Sequence, residues 1–271
     1  MSRFLENFKK LTEEKNSILC IGLDPALPDQ RNDNVIPRRY LEETDENIAR
    51  LNFCLNIIDN VADNAAAIKI NEQYMFGMQK EQHQKLTDFI KKKRLFSIYD
   101  CKLGDIEESA ASKIYWINEA GYDALTVYAQ PGNLKKMVDI AHQYTPPIGI
   151  IAITLMSNAE AQKYFKESKF GPTPLCYEIA KDVKSCNADG CVVGATEHVT
   201  PNDIEKIRKT IGVEKIILFP GIGSQSGDAE KAIKYGGKNI IINVGRRIIY
   251  SENPSKAAEE YNKKFNQIRK D

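Results

Sequence analysis

With 38 Lys and Arg against 37 Asp and Glu in 271 residues, the chain has no overall field to draw it to nucleic acid or to an anionic membrane, so any anion site must be local. Its six cysteines, at 20, 54, 101, 176, 186 and 191, form no C-x-x-C pair and read as reduced core thiols of a cytoplasmic protein, with neither a disulfide nor a metal role. Residues 1–15 mix charges without an apolar stretch, and no run approaches 18 apolar residues, which argues against secretion and membrane spanning.

In chain order, Met1–Ser17 reads as a helical extension closing the bottom of the fold. Eight short apolar, often β-branched runs follow: Ile18–Leu23, Ala65–Ile70, Leu95–Tyr99, Ala124–Tyr128, Ile148–Thr154, Gly190–Gly194, Lys215–Phe219 and Asn239–Val244. Charged segments with helical periodicity separate them: Asp45–Ala62, Lys80–Lys93, Ile106–Ala120, Asn133–His142, Pro174–Cys186, Pro201–Ile211, Asp228–Tyr235 and Pro254–Arg269. Prolines or an acidic residue open several of these, as helix starts require. Continuous apolar strands alternating with amphipathic helices predict an α/β protein with a parallel sheet covered by helices. Eight units predict closure into a (β/α)8 TIM barrel, which typically takes about 250 residues. An open doubly wound sheet is the alternative. No low-complexity linker divides the chain, so residues 1–271 read as one domain. The first βα connection, Pro25–Thr44, is unusually long, with three prolines and mixed charge around Arg31–Arg39. It reads equally as a surface insertion and as a cover for the site.

Catalytic groups of such a barrel gather at the C-terminal strand ends, and polar residues of this chain fall there repeatedly. Asp24 ends the first run, Lys69 nearly ends the second, and Asp100-Cys101-Lys102-Leu103-Gly104-Asp105 follows the third. In an extended strand Asp100 and Lys102 point the same way, while Asp105 lies in the turn beyond. Neighbouring strands are about 4.8 Å apart, so Lys69 can sit beside Asp100 and Lys102. Opposite charges this close hold one another ionised, and a lysine among carboxylates can deliver a proton to a developing carbanion.

A second cluster lies in the last two βα loops, Phe219–Asp228 and Asn243–Arg247. Glycines at 221, 223 and 245 let backbone N–H groups approach an anion, these two loops are the usual phosphate site of such barrels, and Arg246 adds a charged fork. Gly221-Ile222-Gly223 lacks the continuation of a dinucleotide fingerprint, because Ser226 occupies the third glycine's position. His83, His142 and His198 have no metal-ligand spacing and read as surface residues of helices or loops. Tyr115 and Trp116 read as packing residues of the helix over Ile106–Ala120. Ser157 has no activating motif around it and reads as a hydrogen-bonding group, not a nucleophile.

From about Ile18 to Tyr250 the chain resembles the orotidine 5′-phosphate decarboxylase family, in its longer-chain branch. The resemblance rests on Asp100-x-Lys102-x-x-Asp105-Ile106 preceded by Lys69, on Pro220-Gly221-Ile222-Gly223-x-Gln225, and on Gly245-Arg246. It implies a homodimeric, metal-free and cofactor-free barrel that converts orotidine 5′-monophosphate to uridine 5′-monophosphate and CO2. It further implies that Asp24 and Lys69 contact the ribose, that Lys102 donates the proton, and that Asp100 lies near the departing carboxylate. By the same resemblance Asp105 reaches into the partner subunit's site, with Ser109 offering a hydroxyl there in place of the more usual threonine. Ser157 would meet the pyrimidine, and Gln225 and Arg246 would hold the phosphate. The chain departs from many relatives in having Glu107 where they have proline, and in the turn Ser157-Asn158-Ala159-Glu160.

Two further readings stand beside this one. Sugar-phosphate aldolases and decarboxylases of the same barrel group, such as hexulose-6-phosphate synthase, resemble the chain at D-x-K-x-x-D but use Mg²⁺, with a carboxylate from strand two where this chain has Lys69. A non-catalytic sensor of phosphoribosyl ligands would have no need of all four of Lys69, Asp100, Lys102 and Asp105.

Overall fold

Eight strands pair in parallel in chain order: Leu19–Leu23 (β1), Ala67–Asn71 (β2), Phe96–Leu103 (β3), Ala124–Val127 (β4), Gly149–Leu155 (β5), Gly190–Val193 (β6), Ile216–Phe219 (β7) and Ile240–Val244 (β8). β8 pairs back onto β1, so the sheet closes into a barrel and the open-sheet alternative is set aside. The computed structural model describes residues 2–42, 45–223 and 227–270. Most strands are buried along their whole length, because one face looks into the barrel and the other is covered by helices. That double burial is why they read as unbroken apolar runs rather than as alternating ones.

The helices begin where the sequence supplies caps. Asp45 accepts from the N–H groups of Asn47 and Ile48 at the head of Glu46–Val61. Thr200 and Asp203 form a reciprocal capping box at Pro201–Ile211, and Asn253 caps Pro254–Ile268. Each of the eight helices that alternate with the strands lies within two residues of its expected bounds.

Arg3–Glu14 closes the N-terminal mouth of the barrel. Its buried face carries Phe4, Leu5 and Phe8. Both phenylalanine rings lean on Phe96 at the start of β3, with centroids 5.7 and 5.4 Å away. Gly149, at the start of β5, has to be glycine here, since a Cβ would come within 2.6 Å of the Phe4 ring. Ser2 caps the helix and donates to Asp189, just ahead of β6.

The apolar pattern does not show several smaller features. Lys169–Phe170 and Thr173–Pro174 pair as a short antiparallel ribbon after β5, and Arg246–Ile249 forms a single helical turn after β8. β3 runs four residues beyond its apolar stretch, through Asp100 to Leu103. Tyr115 and Trp116 do not pack in the core as expected. The helix Glu107–Glu119 buries Ala110, Ile114 and Ile117, and leaves Trp116 54% exposed on its other face, with Tyr115 beside it.

Candidate active site

β2 and β3 place three charges side by side at the C-terminal mouth. Lys69 pairs in register with Ile98, and Asp100 lies two residues farther along β3 on the same face. The Lys69 ammonium donates to Asp100 Oδ2 at 2.6 Å, and the Lys102 ammonium donates to Asp100 Oδ1 at 2.9 Å. Asp100 and Lys69 are only 8% and 6% exposed, whereas a third of the Lys102 side chain is open to the mouth.

A local irregularity in β3 aims Lys102. Tyr99 to Leu103 on β3 spans the same stretch of ladder as Leu125 to Val127 on β4. Lys102 takes up the excess at φ 50°, a left-handed conformation that costs a non-glycine residue about 1–3 kcal/mol. Thr126 on β4 stabilises it from both sides. Its hydroxyl accepts from the Lys102 N–H at 3.0 Å and donates to Asp100 Oδ1 at 2.8 Å. Sequence reasoning missed Thr126, though a lone hydroxyl between Leu125 and Val127 on an otherwise apolar strand was a usable signal.

The electrostatics follow from this geometry. Burial opposes the Asp100 charge, but the two ammoniums and their hydrogen bonds outweigh it and hold the carboxyl well below the usual carboxylate range. Burial likewise opposes the Lys69 charge, and the carboxylates of Asp100 and Asp24 overcome it, so Lys69 titrates above an ordinary lysine. Burial also pushes the neighbouring Cys20 thiol up to about 12, which keeps it a neutral core residue.

These shifts set the pH window of the pair. The lowered carboxyl of Asp100 contributes stability above the ordinary carboxylate value of about 3.9, and this is lost as pH falls through its folded value. The raised Lys69 contributes below about 10.4, and this is lost as pH rises through its folded value. Asp100→Ala is expected to strip Lys69 of its partner in the barrel interior and to destabilise the fold by about 3–5 kcal/mol. Urea unfolding of the variant checks this, and a loss below about 1 kcal/mol would show that the pair does not hold the strand ends together.

Asp24 lies at the end of β1, facing the same mouth. Arg31, from the long first loop, approaches Asp24 Oδ2 at 3.7 Å while stacking on the Tyr74 ring and donating to its hydroxyl at 3.0 Å. Asp24 Oδ1 and one Arg31 nitrogen are buried without a partner. The described part of the Pro25–Thr44 loop is therefore tied to the site, with Ile36 buried beneath it, while Glu43 and Thr44 lie outside the described residues.

The two glycine-bearing loops are brought together. Gly221 and Gly223 take φ of 96° and 93°, and a Cβ at Gly223 would meet Arg247. Gly227 folds back to donate its N–H to Gly221 at 3.1 Å. Gly245 packs over the Gly22 carbonyl, at the head of the turn that carries Arg246. Gln225 lies outside the described residues. Ser157 follows β5 and is half-buried in a cleft.

Asp105 and Ser109 do not join the array within this chain. Both are exposed, and the Asp105 carboxylate accepts from the N–H of Ile106 at 2.7 Å. The histidines are not plain surface residues either. All three are half-buried with partners: His83 Nδ1 lies 2.8 Å from the Tyr122 hydroxyl, His142 Nε2 lies 2.8 Å from Asp189, and His198 Nε2 lies 3.0 Å from the Met156 carbonyl. Burial, with Lys113 nearby, lowers His83 to about 4 and keeps it neutral. Among the described residues no three His, Cys, Asp or Glu side chains are grouped to hold a metal ion.

Comparison with known proteins adds the family to this geometry. A curated orotidine 5′-phosphate decarboxylase from Ralstonia pickettii (strain 12J) is 31% identical over 271 residues, covering 95% of this chain and 93% of its own. The solved structure of Leishmania donovani OMP decarboxylase superposes with a TM-score of 0.80 at 21% identity, covering both chains completely. The orotidine 5′-monophosphate decarboxylase of Methanocaldococcus jannaschii, solved with the inhibitor BMP, gives 0.69 at 21% identity over 92% of this chain and 98% of its own. At those identities the two structures speak for the barrel alone. The model of the orotidine 5′-phosphate decarboxylase / HUMPS family matches residues 17–261, and the chain belongs to that family.

Proposed function

We propose that this chain decarboxylates orotidine 5′-monophosphate to uridine 5′-monophosphate, a step of pyrimidine biosynthesis. The observation that carries the reading is the buried Lys69–Asp100–Lys102 array, with one ammonium open to the barrel mouth. In the reaction the bond from C6 to the carboxylate carbon breaks, CO2 leaves, and the electron pair stays on C6. The Lys102 ammonium stabilises that charge as it forms and then gives its proton to C6, and the amine recovers a proton from water. The protein's fixed charges take the place of an electron-sink cofactor.

Each remaining residue has a role in the reading. Lys69 and Asp24 contact the ribose, and Asp100 lies near the substrate carboxylate. Ser157 meets the pyrimidine. Gln225 and Arg246, with the backbone at Gly221, Gly223 and Gly245, hold the phosphate. Binding energy from that remote group aligns the ring over Lys102. Asp105 and Ser109 act in the site of a partner subunit, so the working enzyme is a homodimer. Their exposure, and the exposed apolar side chains of Ile106, Tyr115 and Trp116 on the same helix and its cap, support that assignment. We place the protein in the cytoplasm as one barrel domain that acts on a small molecule, with no metal, nucleic acid or membrane partner. Among the described residues no helix is long and apolar enough to cross a membrane.

The test is direct: purified protein mixed with orotidine 5′-monophosphate should cause a continuous loss of the orotate absorbance, with uridine 5′-monophosphate as the nucleotide product. No loss under conditions where the protein is folded would set the reading aside.

A further inference from the structure

Three strands round the barrel from Lys69, the turn after β5 is held in an unusual way. Met156 and Ser157 lie beyond the last residue of the strand, and side chains from the loop after β6 clasp both of their carbonyls. Thr196 Oγ1 donates to the Ser157 carbonyl at 2.6 Å, and His198 Nε2 lies 3.0 Å from the Met156 carbonyl. A carbonyl only accepts, so Nε2 carries a proton and the Thr196 hydroxyl directs its single hydrogen to Ser157. The 3.2 Å contact between Thr196 Oγ1 and His198 Nδ1 is then a hydrogen bond only when the ring carries a second proton. Gly194 completes the contact, because a Cβ there would stand 2.7 Å from Ser157 Cα.

The clasping loop does not need these two side chains for its own shape. Its turn is closed by the Val199 N–H donating to the Thr196 carbonyl at 3.1 Å. Two ammoniums fix its backbone from beneath. Lys231 donates to the carbonyls of Thr196 and Val199 at 2.9 and 2.8 Å. Lys166 donates to the His198 carbonyl at 2.8 Å while paired with Asp203 at 2.7 Å. A rigid platform of this kind leaves the hydroxyl and the imidazole to act on the neighbouring turn. All three residues, Ser157, Thr196 and His198, line one cleft of about 610 Å³.

We infer that Thr196 and His198 are positioning residues that set the Ser157 side chain against the pyrimidine, an inference that rests on the proposed role of Ser157. Site precision of this kind comes from supporting hydrogen bonds to the groups that touch substrate. The test is a set of variants followed by steady-state kinetics with orotidine 5′-monophosphate and by calorimetry with uridine 5′-monophosphate. Thr196→Val should lower kcat/KM roughly 2- to 12-fold, the equivalent of one lost neutral hydrogen bond. Thr196→Ser, which keeps the hydroxyl, should stay near wild type. His198→Gln, which retains an amide donor, should recover most of what His198→Ala loses. In a Ser157→Ala background Thr196→Val should cost less than about twofold, because the side chain it positions is gone.

An equal cost in both backgrounds, or Thr196→Val kinetics matching wild type, would overturn the inference. A wild-type protein that neither turns over orotidine 5′-monophosphate nor binds uridine 5′-monophosphate would remove the proposed activity, and this role with it. The wild-type assay separates the two failures: an active wild type with an equal Thr196→Val cost in both backgrounds overturns the positioning role alone.

Discussion

Lys102→Ala should abolish measurable turnover while leaving a folded protein that still binds uridine 5′-monophosphate. The fold survives because the Lys102 side chain is a third exposed and its removal leaves the Lys69–Asp100 pair at 2.6 Å, with Thr126 still donating to the carboxylate. In the proposed mechanism turnover does not survive, because the variant lacks both the charge assigned to the reacting carbon and the proton that must reach it. A positioned acid alone is worth about 10²–10⁴-fold, and the fixed charge adds to that. Arg246→Ala should behave in the opposite sense, weakening affinity by about 1.5–3 kcal/mol through a lost charged hydrogen bond to the phosphate. Kinetics and calorimetry on both variants separate the two effects. Wild-type turnover in Lys102→Ala would refute its role as proton donor.

The second large effect concerns Asp105. Its carboxylate is exposed and accepts from the N–H of Ile106 in its own turn, three residues past Lys102, and in the proposed dimer it acts in the partner's site. Asp105→Asn and Lys102→Ala homodimers should each be nearly inactive, since every shared site lacks one charge. After the two are mixed and their subunits exchange, a heterodimer has one site with both lesions and one with neither, as two-fold symmetry requires. With random exchange about half of the dimers are mixed, so roughly a quarter of all sites regain native composition. Heterodimers seen by native mass spectrometry without recovered activity would show that Asp105 acts within its own subunit.

Much of the architecture was legible because burial on both faces leaves a parallel strand with nothing but apolar residues to show. The eight runs were therefore visible without alternation, and caps such as Asp45, Thr200 and Asn253 marked the helices between them. The Lys69–Asp100–Lys102 contact was legible too, from strand spacing and charge crowding. The route of β3 was not. Its extra residues follow no apolar pattern, and the left-handed Lys102 becomes visible only once Thr126 is placed on the next strand.

Tyr115 and Trp116 were misread because aromatic residues in a helix default to packing. The core face of that helix is fixed by Ala110, Ile114 and Ile117, a spacing of four and three that leaves 115 and 116 outside it. The histidines were misread for a different reason. Half-burial against a distant partner, as at His83 and Tyr122 or His198 and Met156, depends on residues about forty positions away, which no local pattern shows.

The central claim is that fixed protein charges alone generate and protonate a carbanion at C6, and deuterium labelling after thorough chelation tests it most directly. Protein treated with EDTA and freed of it, then mixed with orotidine 5′-monophosphate in D2O, should turn over at its untreated rate. It should release one CO2 per uridine 5′-monophosphate, and the product should carry one deuterium at C6. A rate that falls on chelation and returns with Mg²⁺, or a product without deuterium at C6, would contradict the account.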